Sequence, residues 1–207
     1  MYLQQYIREK FIGIDLFEDS FVDKEFAIHI QFEKELYQFK EGSDELNHYY
    51  FRNVYQKATE VFEGIFEEDD ELYLVLHQRR DVHSNKYKKI NFFSRYLKNQ
   101  QNKYKVRYTQ REMECGDQII QYELSLFHKK EIHYKMLIKA MCNQDFRGLK
   151  PRFNDKDSYY PEIFFINKSK GIILNIYDDR GCFIVVNNEE DLKYYQDQYK
   201  SLLIKNS

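Results

Sequence analysis

Two apolar runs near the C-terminus, separated by five residues, constrain this chain more than any other feature. The first is Gly171-Ile172-Ile173-Leu174-Asn175-Ile176 and the second is Cys182-Phe183-Ile184-Val185-Val186. Both are short and rich in β-branched residues, which marks them as buried strands. Tyr177-Asp178-Asp179-Arg180-Gly181 lies between them, a connection of the kind that closes an antiparallel hairpin. Its tip gathers two carboxylates and a guanidinium.

The rest of the chain alternates between helical and strand periods. Leu3, Tyr6, Ile7 and Phe11 share one side of a helix over residues 2–11, and Phe26 to Phe32 alternates as a strand. The clearest helix runs from about Glu45 to Phe66, capped by Ser43 or Asp44. Leu72 to Leu76 is a strand, and Lys86 to Lys98 is helical. Tyr104 to Tyr108 and Ile119 to Phe127 have strand character, and Ile132 to Cys142 is helical. Asn143 to Tyr160 carries Gly148, Pro151 and several Asn and Asp residues, and reads as a connector. Strand Ile163–Ile166, the hairpin and a helix from Glu189 to Ile204 follow. The pattern predicts an α+β fold: an N-terminal portion of mixed helices and strands over 1–142, a connector over 143–160, and a C-terminal β-β-β-α module over 161–207. Three strands and one helix are marginal alone, so the module is expected to pack on the N-terminal portion as one unit.

Hydrophobic residues make up 43% of the chain, enough to fold without disulfides or metal. Cys115, Cys142 and Cys182 show no CxxC spacing, and no apolar stretch approaches a membrane span or a signal peptide. A reduced, soluble, cytoplasmic protein is expected, with no cofactor and no membrane. The common nucleotide-binding and hydrolase motifs GxGxxG, GxxxxGK[ST] and GxSxG are absent.

Three segments carry a resemblance. Ile30-Gln31-Phe32-Glu33, then Tyr50 to Val75 with Ala58-Thr59, Phe62 and Asp70, and finally Phe165-Ile166-Asn167-Lys168 through Tyr177-Asp178-Asp179-Arg180-Gly181 resemble a bacterial family known as domain of unknown function 3885. The similarity runs from about residue 26 and is most specific at the hairpin. Phe183 stands where the family usually has an acidic residue, and the final helix lacks the family's usual Trp. The resemblance implies a fold unit of accessory type rather than a reaction.

Tyr177, Asp178, Asp179 and Arg180 are the candidate interaction or polar site. On the structural reading, the Asp side chains bond to local backbone, Gly181 supplies a positive φ and Arg180 folds back onto a carboxylate. On the chemical reading, the two carboxylates serve as acid and base or hold a metal, and Arg180 takes an anion. Adjacent strand residues point to opposite faces, so the carboxylates meet only if the turn redirects one. The six histidines lack zinc spacing, and Glu67–Glu71 reads as a solvated helix-to-strand loop, so no metal site is expected.

Charge is segregated along the chain. Asp15 to Gln78 has seventeen acidic and five basic residues, a net of −12, whereas Arg79 to Arg111 has eleven basic residues and one acid, a net of +10. Tyr and Phe interleave the basic stretch, so Arg79, Arg80, Lys88, Lys89, Arg95 and Arg107 are candidates for binding single-stranded nucleic acid. The overall net charge of −2 favours the alternative, in which acidic and basic stretches face each other within the fold. With no catalytic signature, the leading expectation is a non-catalytic protein-interaction module, of the kind that neutralises a toxin enzyme by covering its basic active site. The alternatives are nucleic-acid binding through 79–111 and an enzyme built on residues 178–180. The sequence leaves the oligomeric state open.

Overall fold

The computed structural model describes residues 2–17, 21–81, 91–113, 116–153 and 160–204. In chain order the elements are α1 (Leu3–Lys10), β1 (Ala27–Gln31), α2 (His48–Ile65), β2 (Leu72–Asp81), α3 (Phe92–Tyr96), a 3-10 segment (Gln100–Lys105), β3 (Arg107–Glu112) and β4 (Asp117–Phe127). A second 3-10 turn (Lys129–Glu131), α4 (Tyr134–Cys142), β5 (Glu162–Asn167), β6 (Ile172–Ile176), β7 (Gly181–Val185) and α5 (Glu189–Gln198) complete it. The seven strands form one antiparallel sheet in the order β1-β7-β6-β5-β2-β4-β3, an α+β architecture. The C-terminal meander β5-β6-β7 therefore lies between two N-terminal strands, β1 and β2.

Side-chain alternation explains why the central strands are continuously apolar. Leu72, Leu74, Phe165, Leu174 and Ile184 pack on one face against Val54, Ala58, Val61 and Phe62 of α2, with α4 and α5 beside it. Tyr73, Val75, Phe164, Ile166, Ile173 and Val185 pack on the other face against Leu3, Tyr6 and Ile7 of α1 and the segment after it. Strands covered on both sides lose the polar-apolar alternation of a half-exposed sheet. Among the described residues, no helix is long and apolar enough to cross a membrane.

Several elements differ from expectation. Asn47, rather than Ser43 or Asp44, caps α2, its side chain accepting from the backbone N–H groups of Tyr49 and Tyr50. Residues 100–105 wind into a 3-10 segment begun by an Asn99 cap, so β3 starts at Arg107 rather than Tyr104. The last helix stops at Gln198. The chain then returns to β1, where Gln31 N donates to Leu202 O at 2.9 Å and Ile204 N to His29 O at 3.1 Å, covering a sheet edge. In the described part of the helix expected over 86–98, Phe92–Tyr96 is helical; residues 86–90 lie outside the described residues, as do His83 and Cys115.

Ion pairs among the described residues draw on both charged stretches and on lysines beyond them. Asp15 pairs with Arg111, linking the acidic and basic stretches. Other acidic side chains turn to lysines further along: Glu68 to Lys129, Glu63 to Lys135, Glu71 to Lys168 and Glu67 to Lys170. Asp70 is not part of a solvated loop. It is buried, accepting from Glu67 N at 2.8 Å and from Asn167 Nδ2 at 2.7 Å, which ties the end of α2 to the end of β5.

Candidate functional site

The β6–β7 turn sits where three other parts of the fold converge. Gln144 donates to Tyr177 O at 2.7 Å, Phe32 N to Arg180 O at 2.9 Å, and Tyr50 OH on α2 to Asp179 Oδ2 at 2.7 Å. Gln38, in the loop between β1 and α2, also donates to Asp179 Oδ2, at 3.1 Å. Tyr177 lies beside β1, its hydroxyl 2.9 Å from His29 Nε2. His29 in turn stacks on Phe183 with ring centroids 4.3 Å apart.

The turn redirects both carboxylates inward. Asp178 is 4% exposed and Asp179 2% exposed. Asp178 Oδ1 accepts from Arg180 N at 2.7 Å, and its Oδ2 accepts from the Arg180 guanidinium through Nε at 2.9 Å and NH2. Arg180 thus folds back onto a carboxylate, and this pairing pushes its pKa up. Burial, reinforced by the neighbouring Asp178 charge, raises the pKa of Asp179 against the opposing hydrogen bonds from Tyr50 and Gln38. Burial and the hydrogen bond to Asp179 push the Tyr50 phenol up in turn.

Gly181 has a role other than the one expected. Positive φ occurs at Gly13, Gly42, Gly116 and Gly171, and Gly181 is not among them. What excludes a side chain there is proximity: an ideal Cβ would lie 2.0 Å from Ile30 O and 2.6 Å from the Tyr177 hydroxyl.

Asp145, which follows α4, completes a third corner that sequence reasoning missed. Among the described residues, Asp145, Asp178 and Asp179 each place a carboxylate oxygen within 4.8 Å of the other two, close enough to share a cation. Burial and the Asp178 charge raise the Asp145 pKa, with Arg180 opposing. Both oxygens of Asp178 are already engaged by Arg180, so the guanidinium stands in for a cation from within the chain. Gln38, Tyr50 and Asp145 carried no local signal, because each meets the turn only through tertiary packing.

The basic candidates lie toward the other end of the sheet. Arg79 Nη1 is 4.0 Å from Asp117 Oδ2, Arg95 lies over the Tyr96 ring at 5.7 Å, and Arg107 over the Tyr2 ring at 5.0 Å. Strand register puts Arg79 and Arg107 on one sheet face and Arg80 on the other, so Arg79 and Arg80 do not form one patch. Lys88 and Lys89 lie outside the described residues.

Glu33 follows the same pattern as the hairpin carboxylates. Burial works against its ionisation, but hydrogen bonds from Glu35 N, Asn53 Nδ2 and Lys34 N, together with the Lys57 charge, hold its pKa down to about 2. Glu33, Asp70, Asn167, Asp178 and Asp179 are thus junctions where loops are fastened to the sheet and α2.

Known proteins match this chain over almost its whole length. A family model described as Domain of unknown function (DUF3885) matches residues 3–206. The chain is 30% identical over 206 residues to "Uncharacterized protein YnaE" of Bacillus subtilis (strain 168), covering 96% of this chain and 95% of that one. No solved structure matches.

Proposed function

The chain belongs to the family described as Domain of unknown function (DUF3885), and on that premise we propose that it is a non-catalytic cytoplasmic interaction protein, covering a basic surface of a partner protein with the loop between β1 and α2. The observation that carries this reading is the surface of that loop. Leu36, Tyr37 and Phe39 are exposed within it and Tyr49 just after it, Tyr37 at 78%. Residues 33–47 hold five acidic side chains against two lysines. Large apolar groups rimmed by charge are features of protein-interaction surfaces.

The loop is also held in shape. Phe39 bridges to Leu46, Asn47 N donates to Gln38 O at 2.8 Å, and the Gln38 side chain reaches inward to Asp179. A preorganised loop loses little entropy on binding. The polar groups of the hairpin tip therefore act as its anchor, and their inward hydrogen bonds argue against acid-base duty. A toxin enzyme with a basic, polyanion-binding active site is the partner class that an acidic aromatic face suits.

The test is site-specific photocrosslinking in the host cell. A photoreactive phenylalanine at Tyr37 is expected to give a discrete adduct with one basic protein, and the same probe at Tyr194 on α5 is not. The adduct should vanish when Glu35 and Glu41 are changed to Lys. The absence of any adduct specific to position 37, or one indifferent to the charge reversal, would sink the reading.

A second reading has its own observation. All six side chains of β3 are exposed, and Arg107, Tyr108 and Arg111 share this strand with Lys103 and Tyr104 just before it. Register puts Arg107 and Arg111 on one face of this strand and Tyr108 on the other, so a single-stranded nucleic acid would have to cross the outer edge of β3 to meet both, and the reading requires retardation of an oligonucleotide that weakens steeply with salt.

A further inference from the structure

We infer that the outer edge of β3 docks an extended acidic segment of a partner protein, which adds to the sheet as a further antiparallel strand. This edge lies at the opposite end of the sheet from β1, and the inference does not rest on the reading of the loop that follows β1.

The two edges of the sheet differ. At β1, backbone hydrogen bonds from Gln31 to Leu202 and from Ile204 to His29 cover the edge. At β3 the strand order ends, and among the described residues no backbone group pairs with the outer side of the strand. β3 is nonetheless held in register by β4 along its whole length, from Arg107 opposite Glu123 to Glu112 opposite Gln118. All of its side chains are exposed. A preformed strand with a free row of N–H and C=O groups is a template for strand addition.

Charge and register define the occupant. Lys103 lies over the Tyr104 ring at 5.1 Å and Arg107 over the Tyr2 ring at 5.0 Å, and neither these two nor Lys105 has an ion pair among the described residues. Of the acids near them, Glu131 accepts from Asn102, and Glu123 is buried, which raises its pKa against the pull of Arg107. Arg111 already holds Asp15, so the unmet positive charge lies at the N-terminal end of β3. Register directs Arg107, Thr109 and Arg111 to the face that carries α1, and Tyr108 and Gln110 to the face that carries α2. Tyr108 is 71% exposed. A peptide strand alternates in the same way, so one segment sets an acid against Arg107 and an aromatic ring against Tyr108. A single-stranded nucleic acid has no such alternation. Two copies of β3 paired about Thr109 would set Arg107 against Arg111, which disfavours self-pairing.

The test is an NMR titration of the full, isotope-labelled chain with a capped peptide, Lys-Thr-Val-Thr-Phe-Glu-Glu, whose glutamates meet Arg107 and the lysines before it and whose ring meets Tyr108. The control, Glu-Thr-Val-Thr-Phe-Lys-Lys, reverses the charges. The acidic peptide is expected to bind with a Kd below about 1 mM and the control at least about tenfold more weakly. At about ten times the Kd, every second backbone N–H of residues 107–112 should exchange with solvent about tenfold more slowly, a pattern that strand addition gives and side-chain contact does not. Arg107→Glu alters an exposed side chain and should reverse the preference between the two peptides. No shift at about 5 mM peptide, equal affinity for both peptides, shifts without alternate protection, or a preference that Arg107→Glu leaves unchanged would overturn the inference. A thymidine oligonucleotide that shifts β3 where the acidic peptide does not would assign the edge to nucleic acid instead.

Discussion

Gly181 and Ile30 approach so closely that no side chain fits between them: a Cβ on Gly181 would lie 2.0 Å from the Ile30 carbonyl oxygen. The contact occurs where β7 begins to pair with β1, Gly181 standing opposite Gln31 in the register. The glycine is set by strand pairing rather than by turn conformation.

Gly181→Ala should therefore be severely destabilising. The obstacle is backbone, which cannot rotate aside, so the β1–β7 pairing must open locally. A loss of at least about 3 kcal/mol is expected, a fall in Tm of roughly 6–12 °C for a chain of this size. A melting curve within a degree or two of wild type would show that the sheet edge yields.

Tyr50→Phe removes the hydroxyl that donates to Asp179 and changes little else. The buried carboxylate keeps Gln38 but loses its shortest hydrogen bond. A cost of about 1–3 kcal/mol is expected at neutral pH. Asp179 already has a raised pKa, and losing this donor raises it further. The penalty should shrink as pH falls and the carboxyl becomes neutral. Urea denaturation at pH 7 and near pH 4 measures the difference; a penalty that grows on acidification contradicts the argument.

Arg180→Ala tests the pairing inside the turn. The arginine side chain is 67% exposed and its partner Asp178 only 6%, so its removal strands a buried carboxylate. About 1–3 kcal/mol should be lost, discounted for the exposed guanidinium. Repeated in an Asp178→Asn background, the same substitution should cost less than half as much. Equal costs in both backgrounds would mean that the ion pair contributes nothing.

The elements with one dominant local signal were legible in the sequence. β1, β5, β6 and β7 follow from apolar runs, and α2 from its spacing of Val54, Ala58, Val61 and Phe62. What was hidden came from packing between distant segments. Asn47 prevailed over Ser43 and Asp44 as the cap because residues 38–40 pair with 45–47 and delay the helix. The hairpin residues announced a site, but not its third carboxylate, Asp145, nor Tyr50 and Gln38, which fix the geometry of Asp179. Gln121 reads as an ordinary strand residue until β2 brings His77 against it.

Glu33→Gln should change the acid limb of stability. The folded pKa is depressed from 4.5 to about 2, so ionised Glu33 stabilises above about pH 4.5 and that contribution is lost as pH falls towards 2. The shift corresponds to about 3 kcal/mol. In the variant, stability measured by chemical denaturation should be lower at pH 6 and should fall less between pH 4.5 and 2.5.

His77 acts in an adjacent and separable window. Burial against Phe17 and Phe164 disfavours its charged form and lowers the pKa from 6.5 to about 4, partly offset by the hydrogen bond to Gln121. The unfolded chain takes up a proton as pH falls through 6.5, while the folded chain resists until about 4. More protons bind to the unfolded state in that interval, so stability rises with pH across it and is fully present above 6.5. The span is worth about 3 kcal/mol. His77→Gln retains an N–H donor for Gln121 Oε1 but cannot titrate. It should be less stable than wild type at pH 7, for want of the aromatic stacking, yet show a flatter stability profile between pH 6.5 and 4. A profile as steep as wild type would place the titrating group elsewhere.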